Sequence, residues 1–174
     1  MTRWLFLSIL FLTAAGVVVY GYLGGFRKPD VAVISTTKPI FLLGQYYKGS
    51  VRDEAFGPLF REAQQLRASG TVRGELANIY YNDPSTTRDT VEAFIGLIVA
   101  DTTSQKKPDA YRYRAFPAGQ RVIQARTTTS YLLAPNKLYP AIEDVAKQQK
   151  LKLRQVYLEQ FAEEGPSEVM AAIE

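Results

Sequence analysis

Residues 78–84 read NIYYNDP, and residues 155–161 read QVYLEQF. Asn78-Ile79-Tyr80 overlays Gln155-Val156-Tyr157 at an offset of 77: a carboxamide, a β-branched residue, then a tyrosine. Either the chain carries one structural unit twice, or it carries two unrelated strands of similar composition. The segments around each stretch bear on the choice.

Upstream of Asn78, VAVIST (31–36) and PIFLLGQYY (39–47) read as strands split by a Thr36–Pro39 corner. In SVRDEAFGPLFREAQQLRAS (50–69), Phe56, Leu59, Phe60, Ala63 and Leu66 recur at helical spacing. Pro58 fits only early in a helix, so the regular part starts near Phe56, and Ser50 with Asp53 resembles a capping box. GELANIYYNDP (74–84) is a strand closed by an Asn-Asp-Pro turn, and VEAFIGLIVA (91–100) is a strand too apolar to be open on both faces. After the polar loop DTTSQKKPD the order repeats. YRYRAF (111–116) and QRVIQARTT (120–128) are strands, and APNKLYPAIEDVAKQQK (134–150) is a helix with Leu138, Ile142, Val145 and Ala146 on one face. LKLRQVYLEQF (151–161) is a strand, Glu163-Glu164-Gly165-Pro166 turns, and SEVMAAIE (167–174) is the last strand. From Tyr80 to Phe94 is 14 residues, and from Tyr157 to Met170 is 13. Matching order, spacing and end chemistry favour duplication. The expected fold is α+β: a duplicated β-α-β-β unit with pseudo-twofold symmetry, its mostly antiparallel sheets covered by two helices. A groove is expected where the two copies meet, since pockets favour such seams.

Trp4 to Phe26 holds no charged residue, and about 20 apolar residues suffice to cross a bilayer as a helix. Trp4 at one end, with Tyr20, Tyr22 and Phe26 at the other, matches interfacial belts. The rival is a cleaved signal peptide with Thr13-Ala14-Ala15 as its small-residue site. Cleavage there would leave the apolar run GVVVYGYLGGF exposed, which favours an uncleaved anchor. The expected organisation is a single-pass anchor in residues 1–28, contacting the lipid bilayer through residues 4–26, and one domain in 29–174. Arg3 precedes the span while Arg27, Lys28 and Lys38 follow it, so the positive-inside bias puts the domain in the cytoplasm.

Composition excludes much chemistry. The 174 residues include no Cys and no His, which removes thiolates, disulfides, imidazole bases and the usual zinc sites. No cofactor or metal site is expected. A net charge of +4, with basic residues scattered among acids, gives no nucleic-acid footprint. Lys106, Lys107, Arg112 and Arg114 do interleave with Tyr111, Tyr113 and Phe116. Single-strand nucleic-acid binders use such mixtures, but a half-buried edge strand explains the Tyr/Arg alternation. Approach to anionic headgroups is a lesser alternative. Glu159, Glu163 and Glu164 read as a solvated turn cluster.

GQYYKGSVRDEAFGPLFREAQQL, NIYYNDP, YRYRAFPAGQRVIQARTTTSYLL and LYPAIEDVAKQQKLKLRQVYLEQF together resemble the GyrI-like small-molecule-binding domain family. The likeness is to its membrane-anchored branch, typified by the testis-expressed ER-phagy receptor. The resemblance implies a ligand groove between two halves. In relatives it implies binding of amphipathic or cationic compounds, gyrase inhibition, or hydrolysis of reactive toxins. Many members place a Glu two residues before the late-strand Tyr, where this chain has Gln155. A carboxamide can neither neutralise a cation nor act as a general base, so Gln155 weakens the cationic-ligand and hydrolase readings unless Glu92 or Glu159 substitutes. The receptor role needs an acidic disordered tail, which this sequence does not present after its last strand, so that role is not carried over.

The expected ligand-binding residues are Tyr46, Asn78, Tyr80, Phe94, Gln155 and Tyr157, with the Asn78 and Gln155 amides facing one groove. Taken singly, each aromatic is better explained as core or sheet-surface packing. The expected function is non-catalytic recognition of an amphipathic small molecule or a partner protein. The alternative is a toxin-detoxifying hydrolase using carboxylate and Tyr. An Asp or Glu inside the groove would separate them.

Overall fold

The computed structural model describes residues 2–82, 89–160, 162 and 165–174. The Asp83-Pro84 end of the first turn, Phe161, and the Glu163-Glu164 pair lie outside the described residues. The elements run α1 (Thr2–Tyr22), β1 (Asp30–Ser35), β2 (Ile40–Ser50), α2 (Phe56–Ala68), β3 (Glu75–Tyr80) and β4 (Thr90–Val99), then β5 (Arg112–Phe116), β6 (Arg121–Thr127), α3 (Pro135–Gln148), β7 (Leu153–Gln160) and β8 (Ser167–Ile173).

α1 spans 21 residues, about 31 Å at helical rise, close to a bilayer's hydrocarbon thickness. Its Arg3–Tyr22 stretch has a mean hydropathy of 2.1 and none of it is buried by the rest of the chain. The helix is thus long and apolar enough to cross a membrane, a property that signal sequences share.

The expected sheets are in fact one. All eight strands join in the order β1-β6-β8-β7-β3-β4-β2-β5, and every pairing is antiparallel. β1 and β2 are six positions apart in that order, roughly 29 Å in a flat sheet. Residues 36–39 join them and reach about 17 Å at most. The sheet must therefore curl until its two ends approach. Thr36 closes the corner: its N–H donates to the Gln120 carbonyl at 3.0 Å, its hydroxyl donates to the Pro117 carbonyl at 2.8 Å, and its carbonyl accepts from the Gly119 N–H.

Curling gives both faces a core. On the convex or helix-bearing side, α2 and α3 cover Tyr80, Ile95, Ile123, Tyr157, Val169 and Ala171. On the other side, Leu42, Ile79, Phe94, Phe116, Val122 and Leu158 bury one another without a helix over them. This second core explains why β4 is apolar on both faces. Close backbone approach accompanies the β2–β4 pairing at Gly44 and Gly96, which sit opposite one another. A Cβ on Gly96 would fall 2.2 Å from the Leu43 carbonyl oxygen, and one on Gly44 equally close to that of Ile95. Backbone cannot yield as a side-chain tip can. Gly96→Ala is expected to lower unfolding free energy by about 1–3 kcal/mol, as overpacking does, readable by urea denaturation.

α2 begins at Phe56, as Pro58 implied, but without the expected capping box. Ser50 ends β2, the N-cap is Ala55, and Asp53 instead accepts from the Ala55 N–H at 2.9 Å. In α3, Pro140 lies inside the helix. It supplies no N–H to the carbonyl of Asn136, one turn back.

Candidate functional site

A cavity of about 780 Å³ opens over the central strands, between α2 and α3. β3 contributes Leu76, Asn78 and Tyr80, which alternate onto the helix-bearing face. α2 contributes Phe60, Ala63 and Gln64, and α3 contributes Asn136, Tyr139, Pro140 and Glu143. Tyr131, before α3, and Glu159, on β7, complete its polar wall.

Glu159 is its chemical centre. β3 and β7 pair so that Asn78 lies opposite Glu159 and Tyr80 opposite Tyr157, putting all four side chains on one face. Only 6% of Glu159 is exposed. The Tyr139 hydroxyl donates to its Oε1, and the Asn78 carboxamide also hydrogen-bonds the carboxylate. Burial pushes the Glu159 carboxyl up to about 7, and these two hydrogen bonds hold it back from rising further. Burial, reinforced by the Glu159 charge, also raises the phenols of Tyr80 and Tyr139, which stay protonated. The described cavity lining holds two carboxylates, Glu159 and Glu143, and no Lys or Arg. The wall can therefore accept a positive charge, donate phenolic hydrogen bonds and offer apolar contact.

The structure brings together only part of the expected set. Asn78 and Tyr80 line the cavity. Tyr157 packs behind it, 2% exposed, its ring centroid 5.5 Å from that of Tyr139. Phe94 lies opposite Ile79, one residue out of phase with Tyr80, and so enters the core on the other face. Tyr46 pairs with Phe94 and shares that face; half exposed, it donates to Glu92 at 2.8 Å. Glu92 also pairs with Lys48 at 3.0 Å, which keeps its carboxyl below the ordinary range, with the Tyr46 bond the larger cause.

The expected placement of Gln155 beside Asn78 is corrected. β7 is irregular between Leu153 and Tyr157: these pair with Ile173 and Ala171, so four steps on one strand face two on the other. Gln155 sits in that bulge with φ 58° and is exposed. The bulge breaks the alternation that would have placed it on the face of Tyr157. The reading of Glu159 as part of a solvated turn is likewise corrected, because it is a strand residue two positions after Tyr157 and faces inward with it. That period-two relation to Tyr157 was the available signal. Gln155→Glu is accordingly expected to change the affinity for a cationic dye by less than about twofold, since an exposed charge is well screened; displacement titration checks this.

No known sequence-family description matches the chain, and no curated protein matches it in sequence. Solved structures do match in fold. An integron cassette protein from the mobile metagenome of Vibrio cholerae superposes with a TM-score of 0.58 at 10% identity, over 85% of this chain and 97% of that chain. EcmrR, solved in a complex with DNA, gives 0.58 at 10% identity over 94% of this chain and 65% of that chain. The EcmrR C-terminal domain alone gives 0.54 at 10% identity, over 84% and 97%. At such identities the likeness establishes fold alone.

Proposed function

We propose that this chain is a single-pass membrane-anchored GyrI-like binding module, and that its cavity holds an amphipathic organic cation without transforming it. One observation carries the reading: a buried carboxylate, Glu159, in a cavity whose described lining supplies no basic partner. An unpaired charge in such a place is costly. A lipophilic cation would supply the missing charge, while Phe60, Leu76 and Ile95 would take its apolar body.

We further read the domain as a doubled β-β-α-β-β unit, one leading strand longer in each half than the expected β-α-β-β, of the membrane-anchored branch the sequence resembles, and place it on the cytoplasmic side. The strand order supports doubling, because exchanging β1–β4 for β5–β8 gives the same order read backwards. So does the direct pairing of Tyr80 with Tyr157, the residues the offset of 77 equates. The greater positive charge after α1 supports the orientation.

Tetraphenylphosphonium, a bulky cation without hydrogen-bonding groups, is the test ligand. Titrated into the detergent-solubilised full chain by calorimetry, it should bind at one site and be recovered unchanged by mass spectrometry. Failure to bind at pH 8 would overturn the reading. A second reading, hydrolysis, is favoured by one fact: a carboxyl titrating near 7 beside a phenol is suited to general acid–base work. Turnover of an activated ester that Glu159→Gln abolishes would establish it.

A further inference from the structure

The residues that follow α1 bond to the segment 128–137, which also contributes Tyr131, Pro135 and Asn136 to the cavity wall. Beyond Tyr22 the chain does not run free. The Leu23 carbonyl accepts from the Ser130 N–H at 3.0 Å, and the Gly24 carbonyl accepts from the Thr129 hydroxyl at 3.1 Å. Lys137 donates to the carbonyls of Gly25 and Arg27, and Arg27 donates to the Thr128 carbonyl at 3.1 Å and its hydroxyl at 2.8 Å. Gly24 makes the docking possible: its φ is 78°, and a Cβ there would come within 3.1 Å of the Thr129 Cα. Residues 128–130 and the first turn of α3 are thus held at the end of the membrane-length helix.

That segment has an apolar tip. Tyr131 is 60% exposed and Leu132 63%, directly after Ser130, whose N–H bonds to Leu23; Tyr22, which precedes Leu23, is 87% exposed and Phe26 70%. Tyrosines at the end of a span are typical of the membrane interface, and Arg27 and Lys28 beside them in sequence suit anionic headgroups. Tyr131 is also cavity lining, as are Pro135 and Asn136, the two residues before Lys137.

We infer that the loop between β6 and α3 sits in the membrane interface, and that the cavity takes its ligand from the bilayer surface rather than from bulk water. This rests on the reading of α1 as an uncleaved anchor and of the cavity as a cation site. The substrate class narrows accordingly to cations that partition into lipid. Leu132 is the residue to alter, because it belongs to the exposed tip and not to the cavity lining.

Two measurements on the full chain in phosphatidylcholine/phosphatidylglycerol nanodiscs test it. In a Trp4→Phe background, Leu132→Trp makes position 132 the sole tryptophan. Its emission should be blue-shifted and lose at least half its intensity when the lipids carry bromine near the headgroup end of their chains. Water-like emission unaffected by bromine would overturn the seating. Leu132→Asp should slow both association and dissociation of tetraphenylphosphonium several-fold while leaving the equilibrium constant unchanged, since it alters the route and not the end point. Unaltered rates would overturn loading from the bilayer. A parent protein that binds no cation would overturn the loading and the cation reading together, whereas the quenching would still decide where the loop sits.

Discussion

Glu159→Gln is expected to abolish the distinction between tetraphenylphosphonium and tetraphenylborate. The two ions are nearly the same size and shape and differ in the sign of their charge. In the parent protein at pH 8, Glu159 is mostly ionised, because its carboxyl titrates near 7. An ion seated against a carboxylate that is itself buried feels that charge at an effective dielectric below that of water. The cation should therefore bind more tightly than the anion by about a hundredfold, equivalent to about 2.7 kcal/mol. Glutamine keeps the shape and the hydrogen bond with Tyr139 while removing the charge. The variant's two affinities should converge to within about threefold. The parent's cation affinity should also weaken about tenfold per pH unit below 7 and level off above it, because binding there displaces a proton. A variant that retains the full preference would assign the selectivity elsewhere, with Glu143 the remaining carboxylate of the lining.

The second large effect concerns stability in the absence of ligand. An acid with a folded pKa near 7 and an ordinary value of 4.5 keeps its proton in the native state after the unfolded chain has released it. Stability is then greatest below 4.5 and is lost as pH rises through 7. Integrated over the interval, this one group costs about 3 kcal/mol at pH 8. Glu159→Gln should remove that dependence, leaving the variant more stable than the parent at pH 8 by an amount approaching that figure and close to it at pH 4.5. Urea unfolding of the detergent-solubilised chain at both pH values measures it. A variant destabilised at pH 8 would mean that Glu159 is held charged by a partner and gives net stabilisation.

These expectations depend on features that differ in how openly the chain displays them. The helices were legible because Phe56, Leu59, Phe60 and Ala63, and likewise Leu138, Ile142 and Ala146, repeat at the helical period and are buried or half-buried where they fall. Strand positions were legible for the same local reason. Joining the strands was not, since it depends on which pairs meet over distances no local pattern encodes. Thr36 carries no mark that its hydroxyl will reach Pro117. Register decided the site. Phe94 and Tyr46 seemed natural companions for Tyr80, but a one-residue phase difference in the β3–β4 pairing turns them to the other face. The bulge at Gln155 misplaced the expected polar group by four residues. Glu159 was hidden by its company: two acidic neighbours in sequence suggested a solvated turn, while its spacing from Tyr157 put it inside.

A carbon-13 NMR titration of glutamate side-chain carboxyls, with the Glu159 signal assigned by its loss in Glu159→Gln, tests the central claim most directly. Without ligand the Glu159 resonance should titrate with a midpoint near 7, and saturating tetraphenylphosphonium should move that midpoint down by more than one unit. A midpoint near 4.5 that the cation leaves in place would contradict the account.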